Sequence, residues 1–312
     1  MSCRIYDSST YLMCLPSSRL CDYTPTEQLN LRGYYANLRQ LVEEMYEQNS
    51  NTKVTLVVIS MGGPVSHYFL TRIVTQEWKD TFIDSYIGLA AAWSGTGGTP
   101  SALLTPPPTN TFGFFEVRGS SVEEIHSLYR SFASYYFLLP HASVWNDTIL
   151  VTTPTKNYTA NDYQQLFTDG GYPQAYTQFM ENGVQRLAAP NVSTYCFYGL
   201  GIPTPMTSVY SGDEFPDAQP TFILGEGDGV VNKQSLDACL PWASSGYFFN
   251  RTVFQGVDHL SIITDKAVLQ AIGSVVRAPV DPINGSVDIV DPINGASQPQ
   301  LFCSCMYRFA YA

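Results

Sequence analysis

The chain has 312 residues, 45% of them hydrophobic and 14% charged, and a formal net charge of −11. That is enough apolar material for one large folded unit, and the negative balance excludes a nucleic-acid backbone as partner, since phosphate contacts need clustered Lys and Arg. No run approaches the roughly 18 consecutive apolar residues of a membrane span.

Residues 1–33 show no clean periodicity and are expected to be irregular. They carry Arg4 but no continuous apolar stretch, so no signal peptide is expected. From Tyr34 the pattern sharpens: Tyr35, Leu38, Leu41, Val42, Met45 and Tyr46 mark one face of a helix ending near Asn49. Asn49-Ser50-Asn51 then turns the chain into Lys53 to Ile59, an apolar, β-branched run that reads as a buried parallel strand. It stops at Ser60-Met61-Gly62-Gly63-Pro64. Pro64 suits the first turn of a helix, where its missing N–H has no intrahelical partner to lose. Phe82 to Leu89 reads as a second strand, leading into Ala90-Ala91-Ala92-Trp93-Ser94-Gly95. Helix, strand, helix, strand is the doubly wound α/β rhythm.

Residues 97–219 break that rhythm and read as a cap inserted above the sheet, rich in Pro, Thr, Tyr and Asn. Within it Thr159 and Asp162 form a predicted capping box for a helix ending at Gly170-Gly171. The rhythm resumes over residues 220–276, with a buried strand from Pro220 to Gly225, a last strand from Gly246 to Phe254 and a closing helix from Thr264 to Val276. The core is therefore assigned to residues 34–96 and 220–276, and residues 277–312 form an atypical tail. That tail repeats Asp-Pro-Ile-Asn-Gly at 281–285 and 291–295, a turn-forming pattern to which no function is assigned.

Strand, serine, glycine, helix is the layout of a nucleophile elbow, which lifts a serine Oγ above the sheet edge. The usual motif is G-x-S-x-G, and Val58 replaces its first glycine, so Ser60 needs partners before it counts. Acyl transfer by serine needs a base and a carboxylate that orients it. His67, His126 and His141 fall where packing or surface roles suffice. His259 alone follows the final predicted strand, and Asp228 follows the penultimate one between Gly227 and Gly229. Ser60, Asp228 and His259 thus land at strand ends in the order such enzymes use.

Five N-x-S/T sequons begin at Asn146, Asn157, Asn191, Asn250 and Asn284, a number that favours a glycosylated, luminal or secreted product. The seven cysteines show no metal-type spacing, and an odd count leaves at least one thiol unpaired within the chain. Only Cys196 and Cys239 lie in the well-patterned region. No metal and no cofactor is expected.

Cys196 to Pro205 (CFYGLGIPTP), Gly227 to Asn232 (GDGVVN) and Asp258-His259 resemble the lecithin:cholesterol acyltransferase family, on its lysosomal phospholipase A2 branch. So do Ser60-Met61-Gly62 with His67 to Leu70, the Ala92-Trp93 pair, Thr153 to Thr159 and Tyr35 to Glu47. The resemblance implies an α/β-hydrolase with a cap insertion, acting as a serine-dependent lipid acyl hydrolase and O-acyltransferase. Ser60 would attack a glycerophospholipid ester, His259 would act as base then acid, and Asp228 would orient it. Water or a lipid alcohol would accept the acyl group, at a peripheral membrane surface. The resemblance also implies Met61 N–H as an oxyanion donor, a Cys196–Cys239 disulfide, and lysosomal or secreted residence.

The chain departs from that family at Val58, Ile59, Ala91 and Ser94. Residues 1–33 do not resemble the family's first strands, Gly-rich oxyanion loop and lid. The sequence therefore predicts a sheet lacking its first strands, an open edge on the Lys53 strand and impaired turnover. A catalytically impaired or non-catalytic lipid-binding glycoprotein is the alternative reading. A peptidase or carboxylesterase fits the triad but not the motifs at 153–159 and 196–205.

Overall fold

A computed structural model of the chain describes residues 3–7, 10–14, 28–109, 111–112, 115–116, 121–131, 133–183 and 187–276. The tail repeat and Asn284 lie outside these residues. The strands in chain order are β1 (Cys3–Asp7), β2 (Thr10–Cys14), β3 (Val54–Ile59), β4 (Ile83–Leu89), β5 (Thr111–Phe112), β6 (Phe115–Glu116), β7 (Val151–Thr152), β8 (Asn157–Tyr158), β9 (Ser193–Leu200), β10 (Ile202–Val209), β11 (Thr221–Gly227) and β12 (Phe249–Gln255).

The main sheet has the order β1-β2-β3-β4-β9-β12. Strands β2, β3, β4, β9 and β12 run parallel, and β1 closes antiparallel on β2. Because successive side chains alternate across a sheet, each central strand feeds two layers. Val54, Leu56 and Val58 of β3, Tyr86 of β4, and Cys196, Tyr198 and Leu200 of β9 enter one core cluster. That cluster also takes in Tyr35, Leu38, Val42 and Met45 of helix α1 (Gln28–Gln48). The intervening Val57, Ile87, Leu89 and Phe197 enter the opposite cluster, with Val268, Ile272 and Val276 of the last helix (Lys266–Val276). This sandwiched parallel sheet is an α/β architecture.

A smaller sheet of order β11-β10-β7-β8 sits in the cap. Its own core is built from Trp145, Leu150, Tyr163, Leu166, Phe167 and Tyr210 among others. Asp162 Oδ2 accepts from Thr159 N–H at 2.9 Å, and the helix itself runs Tyr163–Asp169, so the predicted box closes the turn one residue ahead of it.

Three expectations need correction. Residues 1–33 are not wholly irregular: β2 pairs in parallel with β3 through Leu12↔Thr55, Met13↔Leu56 and Cys14↔Val57, so the Lys53 strand is not left as an open edge. The short runs there lack the alternation that marks a half-buried strand, which hid them. The cap does not span 97–219, because β9 within that range lies between β4 and β12 in the main sheet. Nor is the strand at Pro220 to Gly225 buried. It pairs only with β10 as the outer strand of the cap sheet, leaving Phe222, Ile223 and Leu224 at 44%, 53% and 54% exposure.

Candidate active site

Ser60 sits where β3 ends and helix α2 (Gly62–Tyr68) begins. Its φ is +52°, a left-handed conformation that a non-glycine residue holds only when its surroundings enforce it. Three contacts do so here. Ser60 N–H donates to Leu89 O at 3.0 Å, and Ser60 O accepts from Gly63 N–H at 2.9 Å and from Ala92 N–H at 3.2 Å. The turn also needs a bare backbone beside it, since a Cβ on Gly63 would come within 2.5 Å of Ala91 Cβ. This is the strained elbow that the sequence pattern suggested, built although Val58 replaces the customary glycine.

Asp228 follows β11 and is fully buried. Its Oδ1 accepts from Val230 N–H at 3.0 Å and Val231 N–H at 2.7 Å. Its Oδ2 lies 2.8 Å from His259 Nδ1, and its backbone O accepts from His259 N–H at 2.8 Å. His259 Nε2 in turn lies 2.9 Å from Ser60 Oγ. Beside a carboxylate the neutral imidazole places its proton on Nδ1, leaving Nε2 to accept from the serine hydroxyl. The three residues from distant parts of the chain therefore form one continuous Ser–His–Asp relay, with His259 at 5% exposure.

Met61 N–H opens the first turn of α2 and donates to no group among the described residues. A helix start directs such free N–H groups toward negative charge. The segment before Tyr34, expected to lack a Gly-rich oxyanion loop, is described only at 3–7, 10–14 and 28–33.

The other histidines have structural work. His67 is buried, stacked on Trp242 and 2.6 Å from Ala188 O. His126 Nε2 lies 3.2 Å from Leu103 O, and His141 accepts from Ser143 N–H at the start of the helix Ala142–Trp145. Cys196 and Cys239 are joined as a disulfide with Cα atoms 6.8 Å apart, both fully buried. Asn146, Asn157, Asn191 and Asn250 are all exposed. Among the described residues no cluster of His, Cys, Asp or Glu suits a metal.

Sequence reasoning missed the residues that brace the turn at Asp228. Asn232, fully buried, accepts from Gly97 N–H at 3.0 Å and donates to Pro205 O at 3.1 Å. Ser235 Oγ accepts from Ser94 N–H at 2.9 Å. These tie the segment that holds the elbow to the segment that holds Asp228. Asn232 closes the Gly227 to Asn232 motif and Ser235 lies just beyond it, but spacing alone does not say what either side chain will reach.

An α/β fold carrying a Ser–His–Asp relay on a strained strand-to-helix turn defines the α/β-hydrolase class. The lecithin:cholesterol acyltransferase family profile matches residues 26–186 and 171–266. The chain belongs to that family. It is 32% identical over 252 residues to lysosomal phospholipase A and acyltransferase of Mus musculus, covering 79% of this chain and 58% of that one. It is 32% identical over 241 residues to phosphatidylcholine-sterol acyltransferase of Gallus gallus, covering 76% and 56%. Lecithin-cholesterol acyltransferase-like 1 of Arabidopsis thaliana is 35% identical over 244 residues, covering 77% and 54%. The chain thus spans somewhat over half the length of these relatives. Among solved structures, a chain of the Tle4–Tli4 complex is similar over 83% of this chain and 67% of its own, with 14% identity and a TM-score of 0.45.

Proposed function

We propose that this chain is a serine-dependent lipid acyl hydrolase and O-acyltransferase. The observation that carries the reading is the relay Asp228 Oδ2–His259 Nδ1 and His259 Nε2–Ser60 Oγ, at 2.8 and 2.9 Å. Ser60 Oγ attacks the ester carbonyl of a glycerophospholipid while His259 Nε2 takes its proton. Asp228 holds the imidazole in that tautomer and balances its charge once protonated. The oxyanion formed lies toward Met61 N–H, which lowers the barrier as the negative charge develops. Collapse breaks the ester C–O bond, and the leaving alcohol takes the proton from His259. The acyl group remains on Ser60. Water, or the hydroxyl of a lipid alcohol, then attacks the acyl carbon while His259 Nε2 takes its proton, and His259 returns that proton to Ser60 Oγ as the acyl–Ser60 bond breaks.

The substrate class comes from the family, whose relatives are named for phospholipase and phosphatidylcholine-sterol acyltransferase activity. Substrates held in a bilayer imply a peripheral encounter with its surface, and no described helix is long and apolar enough to cross a membrane. Residence in the lysosome or outside the cell is supported by the buried disulfide and the four exposed sequon asparagines. Enzymatic removal of N-linked glycans from material made in a secretory cell should lower its mass, and no change would contradict that residence.

The test of the function is fatty-acid release from phospholipid vesicles, with and without a lipid alcohol, by the chain and by its Ser60→Ala variant. Release by the chain that falls by several orders of magnitude in the variant supports the reading. Absence of release from correctly folded protein, or equal release by both, would point to the non-catalytic lipid-binding alternative or to a different nucleophile.

A further inference from the structure

We infer that Thr204 is a positioning residue for the acid of the triad, acting through the backbone on both sides of Asp228. Thr204 lies on β10, a strand of the cap sheet, and is fully buried. Its Oγ1 accepts from Gly229 N–H at 2.9 Å and donates to Ile202 O at 2.9 Å. On the other side of Asp228, a Cβ built on Gly227 would come within 2.4 Å of the same oxygen, so the threonine lies flat against that backbone too. One hydroxyl therefore touches the residues immediately before and after Asp228.

The position matters because the turn is conformationally demanding. Gly229 has φ +96°, and Asp228 is bridged to Ile202 on the neighbouring strand. Asp228 spends its Oδ1 on Val230 and Val231 N–H, so only Oδ2 faces His259. A small rotation of the 227–229 backbone would swing Oδ2 off the Nδ1–H axis. The Thr204 hydroxyl opposes that rotation: its own direction is fixed by donation to Ile202 O, and its lone pair holds the Gly229 N–H. A valine has the same shape without the acceptor, whereas a serine keeps the acceptor with less bulk.

This inference deepens the proposed function and rests on Asp228 being the acid of the triad. The experiment compares wild type, Thr204→Val and Thr204→Ser by melting temperature, by kcat and KM on a soluble fatty-acyl ester, and by the far-downfield proton resonance of His259 Nδ1–H. Thr204→Val should lower kcat about ten- to a hundredfold, the range expected for an ångström-scale misplacement, with KM within about twofold. Its imidazole resonance should broaden or move upfield, and Thr204→Ser should restore both. A valine variant matching wild type in kcat and resonance would overturn the inference, as would equal losses in valine and serine. Should Thr204→Val fail to fold, Thr204→Cys, whose sulfur is a weak acceptor, takes its place with the same expectations. An inactive wild type with an intact resonance sinks the proposed function alone, and the resonance of the variants still decides the role of Thr204.

Discussion

His67 lies flat against Trp242, with ring centroids 5.2 Å apart and planes 3° from parallel. Trp93 meets Trp242 edge-on at 4.9 Å, so the imidazole completes an aromatic cluster beside the helix that follows the elbow. Burial pushes the His67 pKa down to about 4, against the raising effect of its hydrogen bond to Ala188 O, and Arg72 and Lys79 add to the depression.

The pH dependence of stability follows in sign. The folded state keeps His67 neutral down to about pH 4, whereas the unfolded chain takes up a proton near pH 6.5. The unfolded state therefore binds more protons between those values, so this contribution is complete above 6.5 and is lost as pH falls to 4. The loss amounts to about 3 kcal/mol, at roughly 1.4 kcal/mol for each pH unit. Denaturant melts from pH 4 to 7.5 should show this slope, and His67→Phe, which keeps the aromatic stack, should flatten it. An unchanged slope in the variant would show that other groups carry the acid sensitivity.

Gly199 on β9 lets the segment that carries His259 approach the sheet closely. A Cβ there would come within 1.8 Å of Val257 O, a backbone atom two residues before His259. The nearest atom is backbone rather than a flexible side chain, so Gly199→Ala must displace the segment carrying His259. We expect a stability loss of about 1–3 kcal/mol and, on the proposed function, loss of most ester turnover, read by melting and by an ester assay. Wild-type melting and turnover in this variant would refute the close approach.

The disulfide closes a sequence separation of 43 residues and links β9 to the short 3-10 helix Asp237–Ser244. Chain-entropy arguments give about 4 kcal/mol for a loop of that size. Replacing both cysteines by serine should lower stability by about that amount, and non-reducing peptide mapping of the native chain should recover the two peptides joined. Recovery of both as free thiols from secreted material would contradict the link.

Much of this arrangement was legible in the sequence because it rests on local chemistry. The uniform apolar run of β3, its stop at Ser60, and the positions of Asp228 and His259 after later strands all followed from pattern and order. What stayed hidden depends on which strands become neighbours. The run Thr221 to Gly225 looks as apolar as β3, yet its pairing with β10 alone puts it at the rim of the cap sheet. Likewise β9 sits in a stretch whose composition resembles the cap, and only its pairing with β4 and β12 assigns it to the main sheet. Thr204 and Asn232 act through backbone groups remote in sequence, which no spacing rule encodes.

If His259 and Asp228 activate Ser60 as a nucleophile, the serine must be the site of covalent attack and its reactivity must depend on both partners. The most direct measurement is intact-protein mass spectrometry after treatment with a fluorophosphonate, followed by peptide mapping. Wild type should gain one adduct on Ser60, Ser60→Ala none, and His259→Ala and Asp228→Asn should react more slowly by orders of magnitude. Labelling of the folded Ser60→Ala variant at the wild-type rate, or labelling of Ser60 that is indifferent to loss of His259, would rule out Ser60 as the activated nucleophile.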